Sequence, residues 1–362
     1  QKRSMVPKEE LLQQIEQNFR DGSAQYRQMM TRLPADRFPK TYYEKTDKFQ
    51  TAPSSDWCSG FYPGTVLYLY EQTKEPSLLN EAERILKVLE KEKNNRSMHD
   101  LGFMMYCSFG NAERLASRPA YKEILLTSAK SLASRFYTKV GCIKSWDRVK
   151  SWDGKTELTF PVIIDNMMNL ELLFYASNFT GDTSFRNIAL RHARTTMQNH
   201  LRPDYSSYHV VNYDAETGAV KSRETHQGFA DNSTWARGQA WGIYGFTLVY
   251  RESKEKAFLE TAEKMADYFL AHLPSDTIPE WDFNVNQPGF SPKWKYDPSK
   301  FAFIPKDASA AAITASALIE LSGYTSSSQA KKYRKAAEDI LLALSSPKYK
   351  AAIGENGNFI LK

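Results

Sequence analysis

Cysteine is scarce: Cys58, Cys107 and Cys142 are the only three in 362 residues. None stands in a CxxC spacing, so neither a disulfide framework nor a structural zinc site is expected. Long apolar runs are also missing, and nothing approaches the roughly 20 residues of a membrane-spanning helix. The six histidines form no HExxH, and neither GxGxxG nor GxxxxGK[ST] occurs. Metalloprotease, dinucleotide and P-loop chemistry therefore drop out. Charge of one sign does not dominate either: 48 Lys and Arg against 42 Asp and Glu leave +6, with basic residues scattered among acidic ones. That argues against nucleic acid as the main partner. The chain opens on Gln1 without an initiator Met, read as a mature form after signal removal, and a periplasmic or secreted location is expected.

Aromatic residues are plentiful instead, with 7 Trp, 20 Tyr and 20 Phe, more than a core of this size needs. Sugar-binding clefts use such rings as stacking platforms. Helical periodicity runs through almost the whole chain, while period-two runs rich in Val, Ile and Thr are nearly absent. The pattern predicts helices over 7–33, 60–74, 76–92, 99–116, 119–138, 161–178, 183–200, 234–252, 254–273, 307–322 and 328–345.

A weak repeat organises them, in which an apolar helix, a short polar turn and a charged helix recur. Its markers Tyr175, Tyr250 and Leu321 are spaced by about seventy residues, or two helical hairpins. Apolar first helices (WARGQAWGIYGF, AAAITASALIEL) belong inside and charged second helices outside. The fold class is all-α, an (α/α)6 barrel of six hairpins, and 1–362 form a single catalytic domain. Eleven helices are read where twelve are needed, so the last inner helix is expected to be missing from the chain given. The long stretches 139–160, 201–233 and 274–306 each precede an inner helix and are expected to carry function.

Unusual residues gather where inner helices begin. Asp100 and Asp165 sit among apolar neighbours, Leu101 and Phe103 in one case and Ile163, Ile164, Met167 and Met168 in the other. Two carboxylates in an apolar pocket raise one pKa, which suits a general acid; helix N-caps are the other reading. DNSTWARGQAW places Trp235, Arg237, Gln239 and Trp241 within two helical turns, where Arg and Gly are locally unfavourable in a buried helix. Arg237 is read either as a site residue or as the partner of a core carboxylate. His209 and Gln227 lie on the loop entering that helix, and Trp57, Trp146 and Trp152 are candidates for sugar stacking, with core packing an equal alternative for Trp152.

These segments, DWCSGFYPG, HDLGF, IDNMMNLELLFYAS, SYHVVNYD, HQGFADNSTWARGQAWGIYGF and DASAAAITASAL, resemble glycoside hydrolase family 88, the unsaturated glucuronyl hydrolases, over essentially the whole chain. The resemblance implies removal of a 4,5-unsaturated uronic acid from the non-reducing end of lyase-generated oligosaccharides, by hydration of the C4=C5 vinyl ether. It implies that Asp165 protonates C4 and then activates water for attack at C5, with Asp100 as the second carboxylate. His209, Gln227, Arg237 and Trp241 would surround the uronate, and Trp57, Trp146 and Trp235 would line the walls, with no metal or cofactor. Asn232 departs from the family, whose members often carry an acid there, and a shifted pH optimum is expected. The alternatives are an unsaturated rhamnogalacturonyl hydrolase of family 105 type and an inverting endo-glycosidase on the same barrel.

Overall fold

The computed structural model describes residues 6–151, 153–292 and 295–362. Among them are α1 (Glu9–Arg32), α2 (Phe61–Thr73), α3 (Pro76–Leu89), α4 (Asn111–Ala116), α5 (Pro119–Ala133), α6 (Asn166–Thr180), α7 (Thr183–Asn199), α8 (Ala236–Ser253), α9 (Lys256–Ala271), α10 (Ala308–Leu321) and α11 (Ser327–Leu344). Each of the eleven expected helices is present, although 119–138 ends at Ala133 with Phe136–Tyr137 in a strand, and one helix changes type. The first part of 99–116 is a π-helical segment, Gly102–Gly110, which passes directly into α4.

The repeat has a physical basis in its turns. Helices α2, α6 and α8 all end on a left-handed residue, Lys74, Gly181 and Lys254, whose N–H donates to the carbonyl four residues back at 2.8 Å. One such residue turns the chain sharply enough for the next helix to begin within two residues. Pro76 opens α3, and Asp182 caps α7 by accepting from the Ser184 N–H at 2.8 Å.

The chain divides into two compact units. One holds 4–96, 100–134 and 344–362, in which α1, α2, the π-helical segment and α5 pack together. The other holds 97–99 and 135–343. There α6, α8 and α10 lie side by side, apolar nearly all round, and α7 and α9 pack outside them. Glycines in α8 make this approach possible: a Cβ at Gly245 would stand 2.3 Å from the Cβ of Met167, and one at Gly242 would stand 2.3 Å from the Met265 methyl. The glycines that look out of place in a buried helix are therefore packing devices.

Short strands, which the periodicity did not announce, complete the units. They are β1 (Phe38–Tyr43) with β2 (Lys48–Ala52), β3 (Phe136–Tyr137) with β4 (Cys142–Ile143), β5 (Val149–Lys150) with β6 (Glu157–Leu158), and a three-stranded sheet of β7 (Pro161–Ile163), β8 (Val210–Tyr213) and β9 (Val220–Glu224). The segment Pro161–Ile163 was expected to open a helix; it is strand, paired antiparallel with β8 as Ile163 opposite Val210. Helix α6 starts only after it, at Asn166.

Candidate active site

The three-stranded sheet gathers the site. Where β7 ends, the Ile164 N–H donates to the His209 carbonyl at 3.0 Å, extending the ladder by one pair. Asp165 follows directly, His209 immediately precedes β8, and Thr225, His226 and Gln227 follow β9. Three segments far apart in sequence thus end at one edge.

Asp165 occupies the position before α6 with helical backbone angles, yet its side chain caps nothing. The capping alternative therefore fails for this residue. Its Oδ1 is buried without a hydrogen-bond partner among the described residues and faces His209 Nε2, equally unpartnered, at 3.7 Å. That separation is too long for a hydrogen bond. Burial penalises the carboxylate and pushes its pKa up to about 7, against smaller lowering contributions from a backbone hydrogen bond and the Arg237 charge.

His209 is held in one tautomer. Its Nδ1 accepts from two consecutive backbone N–H groups, His226 at 3.0 Å and Gln227 at 3.1 Å. The turn that aims these amides is itself fixed, since the Thr225 N–H donates to Asp231 at 3.0 Å and the Gly228 N–H donates to the Thr225 hydroxyl at 2.7 Å. With Nδ1 occupied as acceptor, the ring proton resides on Nε2 and points at Asp165. Burial, reinforced by the charges of His226 and Arg237, holds the imidazole pKa well below its usual value. Nitrogen-15 NMR of the ring is expected to show a neutral Nε2–H imidazole from about pH 5 to 8; titration of His209 within that range would contradict the assignment.

Arg237, in the first turn of α8, closes the other side. It donates to the Ser309 hydroxyl at 3.2 Å and to Gln227 Oε1 at 3.4 Å, and its Nε lies 3.7 Å from Asp307. The pairing reading of Arg237 is met, since it pairs with a carboxylate, while its side chain remains 28% exposed. Asp307 caps α10 as expected, through the Ala310 N–H at 2.9 Å, and in addition orients this guanidinium. The buried Trp235 ring lies 4.4 Å from His209 and carries Arg237 over its face at 5.0 Å. Trp146 is half-buried between His226 at 5.1 Å and His99 at 6.2 Å. Trp241, one turn beyond Arg237, is buried against Tyr244.

Asp100 and Trp57 belong to the other unit. Asp100 is buried and its carbonyl accepts the Met104 N–H at 2.9 Å, at the head of the π-helical segment. Trp57 packs edge-on with Phe61 and Phe103, and the Lys40 ammonium lies over its ring at 5.3 Å. Trp152 lies outside the described residues. None of the three cysteines is in a disulfide, and burial, then Asp56, pushes the Cys58 thiol up to about 12. Asn232 is exposed and donates to the Gly289 carbonyl at 3.1 Å.

Several residues that hold the site gave no sequence signal. Asp282 is fully buried and accepts from the Phe229 N–H at 2.9 Å and the Ser233 hydroxyl at 2.7 Å, fixing the approach to α8. Arg202 donates to the Ser207 and Ser233 carbonyls at 3.0 and 2.9 Å. Gln239, singled out with the α8 polar residues, accepts the Ser207 N–H at 2.9 Å and serves the same scaffold. The pattern THQ after a strand does mark His226, but only once its amide partner His209 is known.

Known proteins carry the same arrangement of sequence and fold. The model for Glycosyl Hydrolase Family 88 matches residues 30–362. An unsaturated glucuronyl hydrolase of Formosa agariphila is 44% identical over 333 residues, 90% of this chain and 77% of that protein. One from Bacillus sp. strain GL1 is 34% identical over 303 residues, 83% of this chain and 75% of the relative. The crystal structure of an unsaturated glucuronyl hydrolase specific for heparin superposes with a TM-score of 0.87 at 41% identity, covering 97% of this chain and 89% of that one. The fold class is accordingly the α/α barrel of these enzymes. With a family model spanning nearly the whole chain and relatives well above 30% identity, the chain belongs to Glycosyl Hydrolase Family 88.

Proposed function

We propose that this chain removes the 4,5-unsaturated glucuronyl residue from the non-reducing end of glycosaminoglycan-type oligosaccharides, by hydrating the C4=C5 bond, and that both units act as one catalytic domain. The observation that carries the reading is Asp165: a buried acid whose pKa stands near 7, which lets one group give a proton and take one back at neutral pH. The protonated carboxyl donates to C4 of the vinyl ether, leaving positive charge shared by C5 and the ring oxygen. The resulting carboxylate removes a proton from water as its oxygen bonds to C5. The C5 hemiketal opens by breaking the bond from C5 to the ring oxygen, and the hemiacetal left at C1 collapses, releasing the remaining sugar as an alcohol.

The neighbours divide the rest of the work. Arg237, oriented by Asp307, Ser309 and Gln227, faces the substrate carboxylate with a planar fork. The fixed Nε2–H of His209 stabilises Asp165 while it is a carboxylate. Trp235 and Trp146 form walls, and Gln227 and Trp241 lie with Arg237 around the uronate. For Asp100 the role is that of second carboxylate and for Trp57 that of a sugar-contacting ring, both as the family resemblance implies. Supplying unsaturated disaccharides left by a chondroitin or heparin lyase should give time-dependent loss of the conjugated-alkene absorbance. Persistence of that absorbance with equal activity on saturated polysaccharide would assign an endo-glycosidase instead.

A further inference from the structure

Between α9 and α10 the chain makes a long excursion whose stems are stitched together. The Trp281 N–H donates to the Pro305 carbonyl at 3.0 Å, and the Asp307 N–H to the Pro279 carbonyl at 2.9 Å. The same stem is pinned to the head of α8, where the Ala236 N–H donates to the Trp281 carbonyl at 3.1 Å. Trp281 is therefore held beside the residue preceding Arg237, and the returning stem ends on Asp307, the Arg237 partner. From this base rises an aromatic cluster that the chemistry at Asp165 does not use. Phe229 lies 5.4 Å from Tyr296 and 6.3 Å from Trp281, and Tyr296 stacks on Phe301 at 5.9 Å. Its outer edge is open to solvent: Phe301 is 45% exposed and Phe303 71%.

We propose that this aromatic lip is the platform for the aglycone, taking the C–H faces of the sugar rings attached to C1 of the unsaturated uronate. The inference rests on the hydrolase reading above. A substrate whose terminal carboxylate is held at Arg237 directs the remainder of its chain outward, and the lip is the surface joined to Arg237 by backbone hydrogen bonds. Pyranose rings bury C–H faces on aromatic rings while their hydroxyls stay in water. A second copy of the chain is a poorer occupant, since two phenylalanine rings cover about 150–250 Å² each, short of the ~800 Å² per partner of a stable interface. Recognition of this kind reads ring faces and chain length.

The test compares kcat/KM on an unsaturated chondroitin tetrasaccharide and on the methyl glycoside of the same unsaturated uronate. It uses the intact chain, the exposed Phe303→Ala variant and the Phe301→Ala/Phe303→Ala double variant. The ratio of the two kcat/KM values is expected to fall on the order of tenfold in the double variant, about 1.4 kcal/mol, through KM for the tetrasaccharide, with Phe303→Ala moving it in the same direction. An unchanged ratio, equal loss on both substrates, or a dimer in sedimentation that the variants dissociate would overturn the proposal. Failure of the unsubstituted chain on both substrates would instead defeat the hydrolase reading beneath it.

Discussion

Asp165→Asn is expected to lower turnover by about 10⁴, the upper end of what general acid and base catalysis contributes, because the proposed mechanism gives one carboxyl both proton transfers. The same substitution is expected to change the pH dependence of stability. The Asp165 pKa is raised from 3.8 to about 7 in the fold. As pH rises through that interval the unfolded chain releases the proton first, so the native protein loses stability relative to a form that cannot ionise. The advantage is fully present below 3.8 and gone above about 7, and at about 1.4 kcal/mol per pH unit it amounts to roughly 4 kcal/mol. Urea unfolding of both proteins from acid to neutral pH measures this. The stability of Asp165→Asn relative to the unsubstituted chain should climb by that order across the window and level off beyond it. The constant cost of burying an amide in place of the acid shifts the curve without altering its slope. A flat difference would mean that Asp165 is ionised in the fold.

The second large effect is expected at Arg237. Replacing it by Gln removes the charge-assisted, two-pronged contact proposed for the uronate carboxylate, worth roughly 3 kcal/mol, and kcat/KM should fall by about a hundredfold, mostly through KM. A second consequence runs in the opposite sense. The Arg237 charge lowers the Asp165 pKa, so its removal should move the alkaline limb of the residual activity to higher pH. If Arg237 only tied α8 to Asp307 and Ser309, the rate would fall while the limb stayed in place. Arg237→Lys separates charge from geometry: the limb should remain near its original position while binding stays weak for lack of the planar fork.

The helical frame was legible because its signal is redundant. Apolar stripes, Pro at helix starts and polar turns such as TGDT and SKEK agree over many residues, and each inner helix shows itself by being apolar nearly all round. Local conflict also pointed to the head of α8, where Trp235 and Arg237 lie beside His209 and Gln227. The strand Pro161–Ile163 was not legible, since a short apolar run reads equally well as strand or helix until its partner Val210 is known. Nor could the sequence show that Asp165 refuses the cap its position offers, because capping is a matter of side-chain direction. Asp282 and Arg202 stayed invisible for another reason: they bind backbone groups contributed by distant loops, and no spacing within the chain records that. The glycines of α8 were read as a local penalty, yet their meaning lies in the opposed Met167 and Met265, which only packing reveals.

In the proposed mechanism Asp165 directs water to C5 and leaves the C1–O bond to break afterwards. Rapid-quench turnover of an unsaturated disaccharide in ¹⁸O-water, with immediate borohydride reduction to trap the carbonyls before they exchange, tests it most directly. The hydration route predicts the label on the carbon derived from C5 of the uronate. Label at C1, with C5 unlabelled, would contradict it.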